Sequence, residues 1–143
     1  MKIGIRWKGN WDLDLYAKPH VGAETLFFQQ TRSAEGYYFK DHRSSPGREY
    51  EYIEFTEPVD VYEVKAMVNF YKGMAANGAA GEVRVEFEGR VYTGTFAIPS
   101  TQGNRGRLDE TQSQFWATVE IPGLMHLPAR ARVAAAEDRD GTL

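Results

Sequence analysis

Two acidic residues in one short segment are the positions of this sequence best suited to chemistry. Asp12 and Asp14 lie in segment 11–16, which reads WDLDLY and alternates between polar and apolar residues. Strict alternation predicts a β-strand, because successive side chains of a strand point to opposite faces. The two carboxylates would then project from the polar, outward face about 7 Å apart. We therefore expect both to reach a single cation there.

The cation that such oxygen donors favour is calcium. Ca²⁺ takes about six to eight oxygen ligands from carboxylates, amides and carbonyls. Asp12 and Asp14 supply two of them, and we expect Asp41 and Glu49 to supply more if the polar segment 41–49 folds over that edge. These four acids are the predicted metal ligands.

A simpler interpretation of the two strand acids stays open. They would be solvated on an outward face, or would accept hydrogen bonds from loop amides and from Arg43 or Arg48. A pair of acids is only part of a coordination shell. The sequence therefore predicts a candidate calcium site without deciding that it is filled.

Aromatic residues form a second group of candidates. They make up 13% of the chain, and three of them are predicted to contact a ligand from outward positions: Tyr16, Tyr71 and Trp116. Tyr50 and Tyr52 are further candidates for outward positions. Exposed rings on a sheet face would suit carbohydrate binding, whereas rings packed against neighbouring strands or a long loop would be structural.

Catalytic patterns are weak. His20, His42 and His126 lie far apart in sequence and lack metal-site spacing, and no serine lies in a nucleophile-elbow context. Acids two apart on one strand point the same way and do not flank a sugar ring as glycosidase acids do. We therefore expect a protein that is not an enzyme.

Composition narrows the class of protein further. The chain has 143 residues, no cysteine and a formal charge of −3, which suits one domain without disulfides or thiolate metal sites. It has no basic stripe for nucleic acid and no apolar run of about 20 residues for membrane insertion. Cysteine content leaves the compartment open, and the domain would also suit a longer, exported parent.

The elements that position these residues are predicted to be strands. Alternation recurs from residue 2 to residue 121, with the longest strand expected over 60–71, a further run over 26–28 and a two-residue hairpin turn at Glu88-Gly89. About nine short strands between turn signals predict an all-β, two-sheet antiparallel sandwich, jelly-roll-like or immunoglobulin-like. We expect this domain to span 1–125 and a tail or linker to span 126–143.

These motifs resemble a family of bacterial YfaP-like β-sandwich domains of unknown function. The resemblance covers roughly residues 1–98 and involves Arg6-Trp7, 12–16, 33–36, Asp41, Pro46-Gly47, Glu49 and 67–71. The Asp-Leu-Asp-Leu motif is also similar to bacterial pre-peptidase C-terminal domains, some of which bind calcium, and to calcium-binding TerD-like proteins. The resemblance implies a β-sandwich, and the similarity to the latter two families implies that calcium binds to it.

The function expected from these observations is surface recognition. A non-catalytic bacterial module would present loops 41–49, 72–81 and 99–113 to a protein or glycan surface. The alternative is a carbohydrate-binding accessory domain of a secreted hydrolase or protease.

Overall fold

The computed structural model describes residues 1–41, 48–108 and 112–125, without the side chains of 41, 48, 49 and 112. The predicted tail, 126–143, lies outside the described residues. The strands are β1 (Lys2–Lys8), β2 (Asp12–Lys18), β3 (Gly36–Asp41), β4 (Arg48–Phe55), β5 (Lys65–Lys72), β6 (Ala79–Phe87), β7 (Arg90–Ile98) and β8 (Trp116–Val119). Two short helices are α1 (Gln112–Phe115) and α2 (Ile121–Met125).

The strands form two antiparallel sheets. One has five strands in the order β3-β4-β1-β6-β7, and the other has three in the order β2-β5-β8. This confirms the predicted all-β, two-sheet fold, with eight strands in the described part of the chain. β1 and β2 are consecutive in the chain but lie in different sheets, so the segment between them crosses from one sheet to the other.

The core lies between the sheets and follows the predicted alternation. Ile3 and Ile5 of β1 and Leu13 and Leu15 of β2 are fully buried. The crossing at Gly9 needs a glycine, because its φ is +144° and a Cβ there would lie 2.3 Å from the Trp11 ring. Burial of apolar side chains is the main favourable term holding the two sheets together.

Three predicted strands are wrong in extent. The last, expected from Phe115 to Ile121, is β8 alone, because Phe115 ends α1 and Ile121 begins α2. β5 begins at Lys65, not at Asp60, because the Asp60 carboxylate accepts a hydrogen bond from the Tyr62 backbone N–H and forms a turn. The run 26–28 makes only isolated bridges, in which Leu26 pairs with Ala17. Short apolar segments can be buried by tertiary packing without joining a sheet as a full strand.

The predicted hairpin is confirmed. Phe87 pairs with Arg90 and Val85 with Tyr92 around the turn Glu88-Gly89. Both turn residues have positive φ, 52° at Glu88 and 75° at Gly89. This is the pattern of a type I′ turn, whose twist matches that of the flanking strands.

The turn gives a direct test of this register. We expect Gly89→Ala to lower the free energy of unfolding by about 1 kcal/mol, because an L side chain at positive φ is strained. An added Cβ would meet nothing within 4 Å, so the cost is confined to the backbone. Glu88→Asn should instead raise the stability by about 0.5 kcal/mol, since asparagine tolerates this conformation. Urea denaturation of both variants measures the effects, and an equal response would contradict the turn assignment.

Candidate functional site

The candidate site lies where β4 of the larger sheet packs on β2 of the smaller one. In β4, Glu51 shares its face with Ile53 and Phe55, and all three are buried. One Glu51 carboxylate oxygen, Oε1, accepts a hydrogen bond from the backbone N–H of Leu15, at 3.2 Å. A glutamate of one sheet therefore satisfies a backbone donor of the other.

Three carboxylates meet at this point. Oxygens of Asp12, Asp14 and Glu51 lie within 4.8 Å of one another. Asp14 is only 2% exposed and Glu51 is 0% exposed. Among the described residues, Asp14 Oδ2 and Glu51 Oε2 are buried without a hydrogen-bond partner. Such oxygens are costly to bury unless a proton or a cation compensates them.

β3 contributes the neighbouring polar groups. The Lys40 ammonium lies 3.2 Å from Asp12 Oδ1 and 3.7 Å from Glu51 Oε2. The Tyr38 hydroxyl donates to Glu51 Oε1 at 2.8 Å. Burial alone would lower the pKa of Lys40, but the charges of Glu51 and Asp12 outweigh it and the pKa is raised. Lys40 is therefore a fixed cation of the cluster.

One ammonium does not neutralise three carboxylates. Burial, with the Asp12 charge second, raises the pKa of Asp14 from 3.8 to about 7. Burial, with the Asp14 charge second, raises the pKa of Glu51 from 4.5 to about 8. Two like charges this close in a dry site do not both ionise readily. At neutral pH the cluster therefore holds either a proton or an added cation.

The structure brings together two of the four predicted metal ligands. Asp12 and Asp14 both lie in the cluster, but Asp14 was expected on an outward face and is buried instead, with the Glu51 carboxylate of β4 within 4.8 Å of its own. The side chains of Asp41 and Glu49 lie outside the described residues. Segment 42–47, with Arg43, lies outside them as well.

Glu51 is the site residue that the sequence analysis missed. The signal was present, since Glu51 alternates in register with the apolar residues Ile53 and Phe55. An acid on the apolar face of a strand indicates a buried charge that needs a partner. Only the packing of the two sheets shows that this partner is the Asp14 region of β2.

The three predicted ligand-binding aromatics belong to one group of contacting rings, in which Trp116 is buried and Tyr16 and Tyr71 are partly exposed. Tyr16 lies 4.8 Å from Phe27 and 5.0 Å from Trp116, between ring centroids, and Phe28 lies 5.3 Å from Tyr71. Trp116 is 7% exposed and its indole N–H donates to the Arg107 carbonyl. The expected outward exposure of Trp116 is therefore wrong, because the segments around Phe27 and Arg107 cover this side of β2, β5 and β8.

The raised pKa values predict a specific pH response. In chelator, the free energy of unfolding should fall as pH rises from about 4 to about 8, since the folded state keeps protons that the unfolded chain has already lost. The slope approaches about 1.4 kcal/mol per pH unit for each retained proton. Denaturant titrations at several pH values measure it. Asp14→Asn should flatten the curve, whereas a curve that rises with pH in this range would contradict the buried acids.

Comparisons of the chain with protein-family models, curated proteins and solved structures give no match. The resemblance of residues 1–98 to bacterial β-sandwich families therefore stays a prediction from their motifs. Among the described residues, no helix combines the length and apolar character needed to cross a lipid bilayer. Function is accordingly inferred from the geometry of the chain itself.

Proposed function

We propose that this protein is a non-catalytic β-sandwich module that recognises a protein or glycan surface and is stabilised by a calcium ion bound between its sheets. The observation that carries the calcium proposal is the pair of buried oxygens without a hydrogen-bond donor, Asp14 Oδ2 and Glu51 Oε2, of which Glu51 Oε2 lies 3.7 Å from the Lys40 ammonium. Together with Asp12 they offer three hard oxygen donors from both sheets. Carboxylate oxygens are the ligands that calcium prefers.

The charge balance supports a cation. Three ionised carboxylates with one ammonium would leave negative charge in a site where two of the acids, Asp14 and Glu51, are buried. A divalent ion would neutralise that charge, and the two oxygens that lack a hydrogen-bond donor would coordinate it. It would also tie β2 to β4, which belong to different sheets. The expected role of the ion is therefore to hold the two layers together.

The burial of the same acids supports a non-catalytic role. Carboxyls with strongly raised pKa values often belong to active sites. A catalytic acid must come within hydrogen-bond distance of a substrate atom, yet Asp14 and Glu51 are 2% and 0% exposed. Their position between two packed sheets favours a structural use.

Two of the three loops expected to recognise a partner are joined. The N–H of Ala75 donates to the Thr101 carbonyl, and the N–H of Gly103 donates to the Gly73 carbonyl. Met74, beside this junction, is 72% exposed. These bonds favour a preorganised surface built from 73–78 and 99–108, whereas much of loop 41–49 lies outside the described residues.

Calcium binding is tested by thermal unfolding. We expect the melting temperature to rise by about 8 °C between excess chelator and calcium at about 100 times its Kd, because a ligand bound only to the folded state stabilises it by about 2.7 kcal/mol. Asp14→Asn and Glu51→Gln should abolish the shift. In chelator both variants should be at least as stable as the wild type, since a buried like charge is removed.

The matched control for that experiment is Glu57→Gln, which removes an exposed acid outside the cluster. It should keep the full calcium shift. A wild-type melting temperature that is the same in calcium and in chelator would contradict the calcium proposal.

Lys40 provides an independent test. We expect Lys40→Met to bind calcium at least about tenfold more tightly, because the ammonium repels a cation from the same carboxylates. In chelator this variant should be less stable than the wild type, since its acids lose their only cation among the described residues. Isothermal titration calorimetry measures the affinity, with the exposed Lys65→Met as control. Weaker binding by Lys40→Met would contradict a shared cation site.

A further inference from the structure

On the outer face of the five-stranded sheet, the part formed by β3 and β4 is aromatic. The registers of β3 and β4 place Phe39 beside Tyr52, with Tyr37 and Tyr50 on the same face. Ring centroids lie 5.0 Å apart for Phe39 and Tyr52, 5.8 Å for Tyr50 and Tyr52, and 6.1 Å for Tyr37 and Tyr52. Phe39 is 45% exposed and the three tyrosines are partly exposed. We call these four residues the outer aromatic face.

Gly4 leaves room for the Tyr50 ring to lie against the backbone of the sheet. Gly4 of β1 is the cross-strand neighbour of Tyr52. A Cβ added at Gly4 would lie 2.8 Å from the Tyr50 hydroxyl oxygen and 3.0 Å from its Cε2 atom. The Tyr50 ring therefore lies across the backbone of β1, in space that any side chain at position 4 would occupy.

The other side of the same face is polar and balanced in charge. Arg6 pairs with Glu82 at 3.2 Å, and Arg84 pairs with Glu86 at 3.3 Å. The Lys2 ammonium lies 4.1 Å from the centre of the Tyr52 ring. The charges of these two arginines and two glutamates are thus met by partners within the face, and the exposed Lys8 adds a positive charge beside them.

A shallow depression continues from the aromatic side. It has a volume of about 540 Å³ and includes Arg6, Glu82, Thr95 and Ala97 in its lining. Arg6 is the cross-strand neighbour of both Tyr50 and Glu82. The aromatic rings of β4 are therefore adjacent to the hydrogen-bonding side chains of β1 and β6.

We propose that this face binds an uncharged polysaccharide, laid from the outer aromatic face across β1 into the depression. The apolar faces of sugar rings would pack on Phe39, Tyr50 and Tyr52. Sugar hydroxyls would exchange hydrogen bonds with Arg6 and Glu82 in the depression. The inference rests on the proposed recognition function, and it adds a sheet face as the binding surface for a glycan.

The chemistry of the face favours a sugar over a protein partner. The core of a protein interface is usually apolar, but of the five large hydrophobic side chains that the described residues expose, only Phe39 lies here. The other aromatics are tyrosines, which combine an apolar ring with a hydroxyl. The internal pairing of Arg6 with Glu82 and of Arg84 with Glu86 matches a neutral ligand better than a charged one.

Affinity electrophoresis of the full chain tests the proposal with soluble β-glucan, xylan and glucomannan, and sedimentation tests it with insoluble chitin. We expect retention by at least one of these. Phe39→Ala should weaken that retention at least about tenfold, as expected for loss of an aromatic contact. Gly4→Ala should weaken it as well, because it displaces the Tyr50 ring without removing a ring. Phe39→Tyr should retain binding, and the exposed Tyr62→Ala, outside this face, is the matched control.

Circular dichroism melting of each variant separates lost binding from lost folding, and Gly4→Ala serves as the test if Phe39→Ala does not fold. The inference is overturned if no polysaccharide retains the wild type, or if both variants bind like the wild type. Binding to charged polysaccharides alone would overturn it too, as would a dimer in solution that Phe39→Ala dissociates. A calcium-dependent melting temperature without polysaccharide retention would show that this inference fails while the calcium proposal stands.

Discussion

The contact on which the rest of the structure depends joins a glutamate of one sheet to the backbone of the other. Glu51, fully buried in β4, accepts hydrogen bonds from the Leu15 N–H and the Tyr38 hydroxyl. Transfer of a carboxylate from water into the protein interior costs free energy, and the hydrogen bonds from these two donors offset only part of it. The packing of the two sheets at this edge is therefore tied to how the remaining charge is neutralised.

The way in which the negative charge of the cluster is neutralised determines how the stability of the fold depends on pH and on divalent cations. Lys40 offers one positive charge, and burial raises the pKa of Asp14 and of Glu51, which favours a retained proton on these acids when no other cation neutralises them. Protons and divalent cations would compete for the same oxygens, because metal ligands must be deprotonated. In the proposed module, the cluster stabilises the framework and takes no part in contact with the partner.

The aromatic residues divide into two groups with different surroundings. Tyr16, Tyr71 and Trp116 are linked by ring contacts through Phe27 and Phe28, and of the three only Trp116 is buried. The residues of the outer aromatic face lie on the other sheet, where Phe39 is the most exposed. The difference between the groups lies in Trp116, which is 7% exposed, and Phe39, which is 45% exposed, since the tyrosines of both groups are partly exposed.

The sequence by itself determined the strands and their faces, because alternation is a local property: it identified β1, β2, β3, β4 and the hairpin at Glu88-Gly89. It also identified Asp12 and Asp14 as a pair of acids. Only the tertiary structure decided that Asp14 is buried, that Glu51 completes the cluster and that Trp116 is covered. The physical reason is that a residue pattern fixes the side of a strand, whereas the group packed against that side comes from distant parts of the chain.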